Sequence, residues 1–150
     1  MTKEQFFKVL LGDTSASGPV LGSNADSKIF VYFVDHGGSG LICTPSGSSA
    51  DYIYADELTS TIQKMKDTNM FKELVFYLDT CESGSMFPSN SLPDGVYAMT
   101  ASSAYESSYA AYCDAHVNGS DFHTCLGDLF SSAWMEDTET NDPSVLDLQT

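Results

Sequence analysis

The chain has 150 residues, 42% of them hydrophobic and 12% aromatic, which is enough apolar material for one globular domain with its own core. Twenty-one Asp and Glu face six Lys and no Arg, giving a formal net charge of −15 and a pI near 4.1. Such a surface repels phosphate backbones and anionic lipid, which argues against nucleic acid and membrane as partners.

Thr2-Lys3-Glu4-Gln5 is a capping box, and Phe6, Val9 and Leu10 follow at helical spacing before Gly12, so a short helix is expected first. Met1–Leu11 lacks the basic start and apolar run of a secretory signal peptide, and no stretch approaches the roughly 18 apolar residues of a membrane span. Residues 12–28 are rich in Gly, Ser, Asp, Asn and Pro, which is loop chemistry. Ile29–Val34 is a continuous apolar run, too short for a helix and filled with β-branched and aromatic residues; it predicts a parallel strand buried on both faces. Asp56 is expected to cap a helix that carries Leu58, Ile62 and Met65 on one face and ends near Asn69. Leu74–Leu78 predicts a second buried strand, and Val96–Thr100, after the Pro93-Asp94-Gly95 turn, a third. Helical spacing returns from Leu126 to Met135. Strands alternating with helices predict a single α/β domain over residues 1–150 with a mainly parallel sheet.

Cysteines stand at 43, 81, 113 and 125 without a CxxC pair, spread too thinly for a small disulfide-stapled scaffold. Cys43, beside Leu41 and Ile42, is expected to be a buried structural thiol. Cys113, His116, His123 and Cys125 are residue types that ligate zinc, but their spacing fits no standard finger, and the two histidines read as surface loop residues. Trp134 and the Tyr and Phe residues follow helix and strand periods and are expected in the core. The sequon Asn118-Gly119-Ser120 would suit a secreted surface loop.

The first predicted strand runs into Asp35-His36-Gly37-Gly38 and the second into Asp79-Thr80-Cys81-Glu82-Ser83-Gly84. One predicted helix separates them, so the pair forms a crossover unit whose strands are parallel and adjacent, about 4.8 Å apart. His36 and Cys81 are thereby brought to one rim of the sheet, where open α/β sheets place ligands. Either residue alone is more often structural; their joint placement points to chemistry in which a thiolate attacks a carbonyl and an imidazole protonates the departing amine. The N–H groups of Gly37 and Cys81 are candidates to hold the oxyanion.

These motifs resemble a known family. Phe30–Gly38 resembles the histidine motif of the legumains, the asparaginyl endopeptidases, and Val75–Met86 resembles their cysteine motif. Val96–Ala101, Glu106–Ala110, and Leu126-Gly127-Asp128 with Trp134–Asp137 follow in the family's order. The resemblance implies a caspase-like three-layer α/β fold with a mainly parallel sheet flanked by helices, and cysteine-type hydrolysis of peptide bonds after asparagine through a covalent thioester. It implies His36 and Cys81 as the dyad, Gly37 with Cys81 as the oxyanion hole, and Asp79, Ser107, Ser108 and Asp128 as the pocket for the asparagine side chain. It implies no metal or organic cofactor, protein or peptide substrates, cystatin-type inhibitors, and a lysosomal, vacuolar or secreted location. The net negative charge is compatible with an acidic compartment. The cysteine motif is also similar to that of the transamidase that attaches lipid anchors to proteins.

The sequence departs from the family pattern in two places. The family's first strand, with the Asn and Arg that follow it, and its helical C-terminal prodomain are absent from these residues, so a truncated fold is expected. The Arg that would donate to the carboxamide oxygen has no counterpart. A catalytically inactive fragment or protein-binding paralogue is the alternative.

Overall fold

The structure is a computed structural model, and it describes residues 1–114, 116–117, 119–121 and 123–141. Asn118 of the sequon lies outside the described residues. The chain divides into two compact units, Met1–Ser107 and Ser108–Thr150. The first contains α1 (Lys3–Leu10), β1 (Lys28–Val34), β2 (Gly37–Gly38), β3 (Leu41–Ile42), β4 (Ile53–Tyr54), α2 (Ala55–Asp67), β5 (Glu73–Asp79) and β6 (Val96–Thr100).

Local chemistry sets the helix ends. Thr2 Oγ1 accepts the Gln5 N–H at 3.3 Å, as the capping signature predicts, while Gln5 Oε1 accepts from Ser17 N–H at 2.9 Å. At α2 the expected Asp56 cap is corrected: Asp56 lies inside the first turn, and Glu57 Oε2 reaches back to the Tyr54 N–H at 3.0 Å. Glu57 also pairs with Lys3 at 2.8 Å, tying α2 to the start of α1.

The main sheet has the order β1-β5-β6 with both pairings parallel, which is the α/β class expected. Ile29, Leu74 and Val96 stand in one row and Phe33, Leu78 and Thr100 in another. This face forms the core with Phe6 and Leu10 of α1 and Leu58, Ile62 and Met65 of α2. Each such side chain contributes roughly 1.5–3 kcal/mol by leaving water. The alternate residues face the other way, and there the expectation of double burial fails: Phe30 is 54% and Val34 43% exposed. A continuous apolar run reports that a strand is wanted inside, not which of its faces is covered. Phe30 packs edge-on against Tyr77 at 5.2 Å on that open face.

The crossover from β1 to β5 holds an element absent from the sequence reading, an antiparallel sheet of order β2-β3-β4. Its signal was the Ser39-Gly40 turn, where Gly40 takes φ +70°.

The second unit contains β7 (Ala110–Ala111), β8 (His116–Val117), β9 (Ser120–Asp121), β10 (Gly127–Asp128) and α3 (Leu129–Thr140). β10 pairs with β7 and β8 with β9, both antiparallel. The helix begins three residues later than its periodicity suggests, because Gly127 and Asp128 pair with Ala111 and Ala110. Cys113 and Cys125 form a disulfide that the sparse cysteine spacing did not announce, so neither is a thiolate available to a metal. His116 pairs with Asp121 at 2.6 Å on an exposed hairpin, and His123 is exposed. The expectation of core aromatics is also corrected. Tyr105 is 92% exposed, Tyr109 and Tyr112 are exposed, and Trp134 is half-buried. No helix among the described residues is long and apolar enough to cross a membrane.

Candidate active site

β1 and β5 finish together. Val34 pairs with Asp79, and the Asp35 N–H extends the ladder to the Asp79 carbonyl at 3.3 Å. His36 and Cys81 therefore stand two positions beyond the same register pair, on adjacent strands spaced about 4.8 Å apart. His36 is exposed and Cys81 half-buried, and Cys81 is not disulfide-bonded.

The backbone around His36 is pinned on both sides. Asp35 Oδ1 accepts the His36 N–H at 2.7 Å, and the His36 carbonyl accepts the Cys43 N–H at 2.8 Å. Residues of an antiparallel pair alternate between exchanging and not exchanging ladder bonds, and the Cys43-to-His36 bond puts Gly37 and Ile42 in the second kind of position. The ladder thus makes no demand on the Gly37 N–H. A Cβ on Gly37 would lie 2.6 Å from the Cys81 carbonyl oxygen and 2.6 Å from Thr80 Oγ1, so the histidine hairpin touches the cysteine turn backbone to backbone.

That turn is sharp. Glu82 takes φ +53°, a left-handed conformation that costs a non-glycine residue about 1 kcal/mol. Its N–H donates to the Glu106 carbonyl at 2.7 Å. A single 3-10 turn, Ser83–Met86, follows and drives the fully buried Met86 into the core. Ser85 joins the two halves of the rim: its Oγ accepts the Gly40 N–H at 2.8 Å and donates to the Glu82 carbonyl at 2.6 Å.

Of the residues expected around a substrate side chain, Asp79 closes β5 and is 2% exposed. Ser107 is exposed at the end of the first unit, and Ser108 and Asp128, both half-buried, belong to the second. There Asp128 pairs with Ala110, two residues on from Ser108. Cys43 is half-buried rather than buried; desolvation, aided by the Asp35 carboxylate, pushes its thiol above the usual range and makes it a poor thiolate. A hollow of about 450 Å³ near the end of α2, lined by residues such as Asp13, Lys64 and Thr68, includes none of the candidate residues. Its lining holds neither Cys nor His, so it does not displace the strand-end rim as the candidate site. Among the described residues no group of three His, Cys, Asp or Glu is arranged to hold a metal ion.

Sequence reasoning overlooked Ser83, Ser85 and Ser102, which hold the cysteine turn. Serine is common in loops, and a hydroxyl's partner is fixed by tertiary structure. Only Ser85, three residues after Glu82, makes a local bond that its spacing could have suggested.

The arrangement sets a thiol, an imidazole and the backbone N–H groups of a tight turn on one sheet rim, the parts needed for acyl transfer. Comparison with known proteins agrees in kind. Residues 1–150 match the Peptidase C13 family. The chain is 44% identical to a vacuolar-processing enzyme of Citrus sinensis, covering 93% of this chain and 29% of that protein. It is 44% identical to a vacuolar-processing enzyme of Vicia sativa, covering 97% and 30%, and 39% identical to a legumain of Canavalia ensiformis, covering 94% and 30%. It thus spans less than a third of the length of these relatives. With the family match running from the first residue to the last, the chain belongs to the Peptidase C13 family.

Proposed function

We propose that this chain carries the dyad of a cysteine endopeptidase that hydrolyses peptide bonds after asparagine, with Cys81 as nucleophile and His36 as general acid and base. The observation that carries the reading is the common register of the two residues, each two positions past Val34 and Asp79, with Gly37 against the Cys81 carbonyl. The Cys81 thiolate adds to the scissile carbonyl, whose π pair moves to oxygen and is met by the N–H groups of Gly37 and Cys81. Loss of one such donor in other enzymes costs about 100-fold or more. The tetrahedral species collapses to a thioester as the amine leaves with a proton from the His36 imidazolium. Water then adds to the thioester carbon as His36 takes its proton, and the C–S bond breaks, which releases the acid and restores the Cys81 thiolate beside the His36 imidazolium.

The asparagine NH₂ suits the carboxylates of Asp79 and Asp128, which only accept. The carboxamide oxygen needs a donor, and the hydroxyls of Ser107 and Ser108 can donate. The substrates are proteins or peptides. The names of the relatives support a vacuolar location for the full-length protein.

The test is covalent labelling at about pH 5, where carboxylates begin to protonate, with an electrophilic peptide bearing asparagine at its reactive end. Wild type is expected to label, Cys81→Ala not at all, and His36→Ala at a rate reduced about 100-fold or more. Labelling that persists in Cys81→Ala, or a folded wild type that stays unlabelled, overturns the proposal and favours an inactive relative.

A further inference from the structure

Behind the cysteine turn lies a closed exchange of hydrogen bonds that catalysis by the dyad does not itself require. Ser83 is 0% and Ser102 9% exposed. Ser102 Oγ donates to the Thr80 carbonyl at 3.1 Å and accepts the Ser83 N–H at 3.2 Å. A hydroxyl has one proton to give. With that of Ser102 committed to Thr80, the Ser83 hydroxyl donates across the 3.1 Å gap to Ser102 Oγ or to the Ser102 carbonyl at 3.3 Å. Ser83 Oγ in turn accepts the Ser102 N–H at 3.0 Å. The Gly84 N–H adds a bond to the Ser102 carbonyl at 3.0 Å, and a Cβ on Gly84 would lie 2.9 Å from Ala104 N, so the two segments touch at the backbone.

The Thr80 carbonyl and the Cys81 N–H belong to one planar peptide unit and point in opposite directions. Whatever holds the oxygen therefore aims the N–H. The same Ser102 oxygen also holds the Ser83 N–H, so one side chain grips the chain on both sides of Cys81 and Glu82, the second of which is in a left-handed conformation. We propose that Ser102 is a positioning residue: its hydroxyl fixes the Thr80–Cys81 peptide plane and so aims the Cys81 N–H at the substrate oxyanion. The proposal rests on Cys81 being the nucleophile.

Two probes of Cys81 separate this role from simple support of the fold. With a peptide aldehyde ending in asparaginal, the thiolate adds to the aldehyde carbon, the π pair moves to oxygen, and that oxygen occupies the oxyanion position. With iodoacetamide the thiolate displaces iodide and no oxyanion forms. In folded Ser102→Ala, aldehyde affinity is expected to fall about 10-fold or more while the rate of Cys81 alkylation changes less than about twofold, and Ser102→Thr should restore the affinity. Unchanged aldehyde affinity, or equal losses with both probes, overturns the proposal. If Ser102→Ala does not fold, Ser102→Cys keeps the shape with a weak donor; a several-fold loss of aldehyde affinity supports the role and an unchanged value overturns it. A wild type alkylated at Cys81 but blind to the aldehyde marks the other failure, in which Cys81 is no peptidase nucleophile and Ser102 has no oxyanion hole to aim.

Discussion

A methyl group at position 37 would meet the Cys81 carbonyl and Thr80 Oγ1 at 2.6 Å, well inside van der Waals contact. Gly37→Ala must therefore push the histidine hairpin and the cysteine turn apart, although neither leaves its strand. Displacements on the scale of 1 Å are enough to cost about 100-fold in a reaction that depends on alignment. The expected outcome is a loss of that order in the rate of labelling by the asparagine probe, with the melting temperature changed by only a few degrees. At Gly38 the nearest atom to such a methyl is Leu41 Cδ1 at 3.8 Å, so Gly38→Ala should lose much less. Equal losses at both positions would show that the close approach at Gly37 is not what matters. The need for glycine at 37 was half legible: the sequence offered its N–H as a candidate oxyanion donor, whereas the structure shows its backbone coming close to the cysteine turn. His36 and Cys81 stood out in the sequence because an apolar strand that ends in polar, glycine-rich sequence marks a rim. The serines that secure the rim carried no such mark, since Ser83 and Ser102 are 19 positions apart and meet only after the sheet forms.

The strands and helices came through with small boundary errors where packing and pattern agree. In α2, Leu58, Ile62 and Met65 recur at helical spacing and are all fully buried, so the sequence period and the core face coincide. Ile62→Ala is expected to cost about 2–5 kcal/mol, through lost transfer energy and the cavity left beneath the sheet, read as a lower urea midpoint at unchanged slope. Ser60→Ala, on the exposed side of the same helix, should stay within about 0.5 kcal/mol. Similar costs at both positions would contradict the assigned face. Illegible elements were those made by pairing rather than by pattern. β2, β3 and β4 have two residues each, too few for an alternation to show, and β10 delays a helix whose period begins earlier. Nor does an apolar strand declare its open face, as Phe30 and Val34 demonstrate.

At the scale of the molecule, charge is the dominant fact. Of the six lysines, Lys3, Lys8 and Lys28 are paired with Glu57, Glu4 and Glu73, leaving few cations to offset the remaining carboxylates. Hydrogen bonds from Ser15 hold Asp13 below its usual 3.8, and the hydrogen bonds of Lys28 and Ser103 hold Glu73 and Glu106 below 4.5. A depressed carboxylate contributes stability that is present above its unfolded value and lost as pH falls through the folded one, so these contacts are intact above about pH 5 and weaken as pH falls below it. The hydrogen bonds of Glu57 and Glu4 raise Lys3 and Lys8 above 10.5, and that contribution is complete below 10.5 and lost only as pH rises beyond it. Between about pH 5 and 8 the paired groups therefore stay as they are, while acidification makes the net charge less negative and reduces the self-repulsion of a chain at −15. Thermal melts in low salt should thus give a higher Tm near pH 5 than near pH 8, with a fall below about pH 4. Raising salt to about 0.3 M should narrow the gap by lifting the value at pH 8, because screening removes the repulsion that acid removes by neutralisation. A Tm that is higher at pH 8 in low salt would mean that individual ionised contacts outweigh total charge, and would break the physical link between this composition and an acidic compartment.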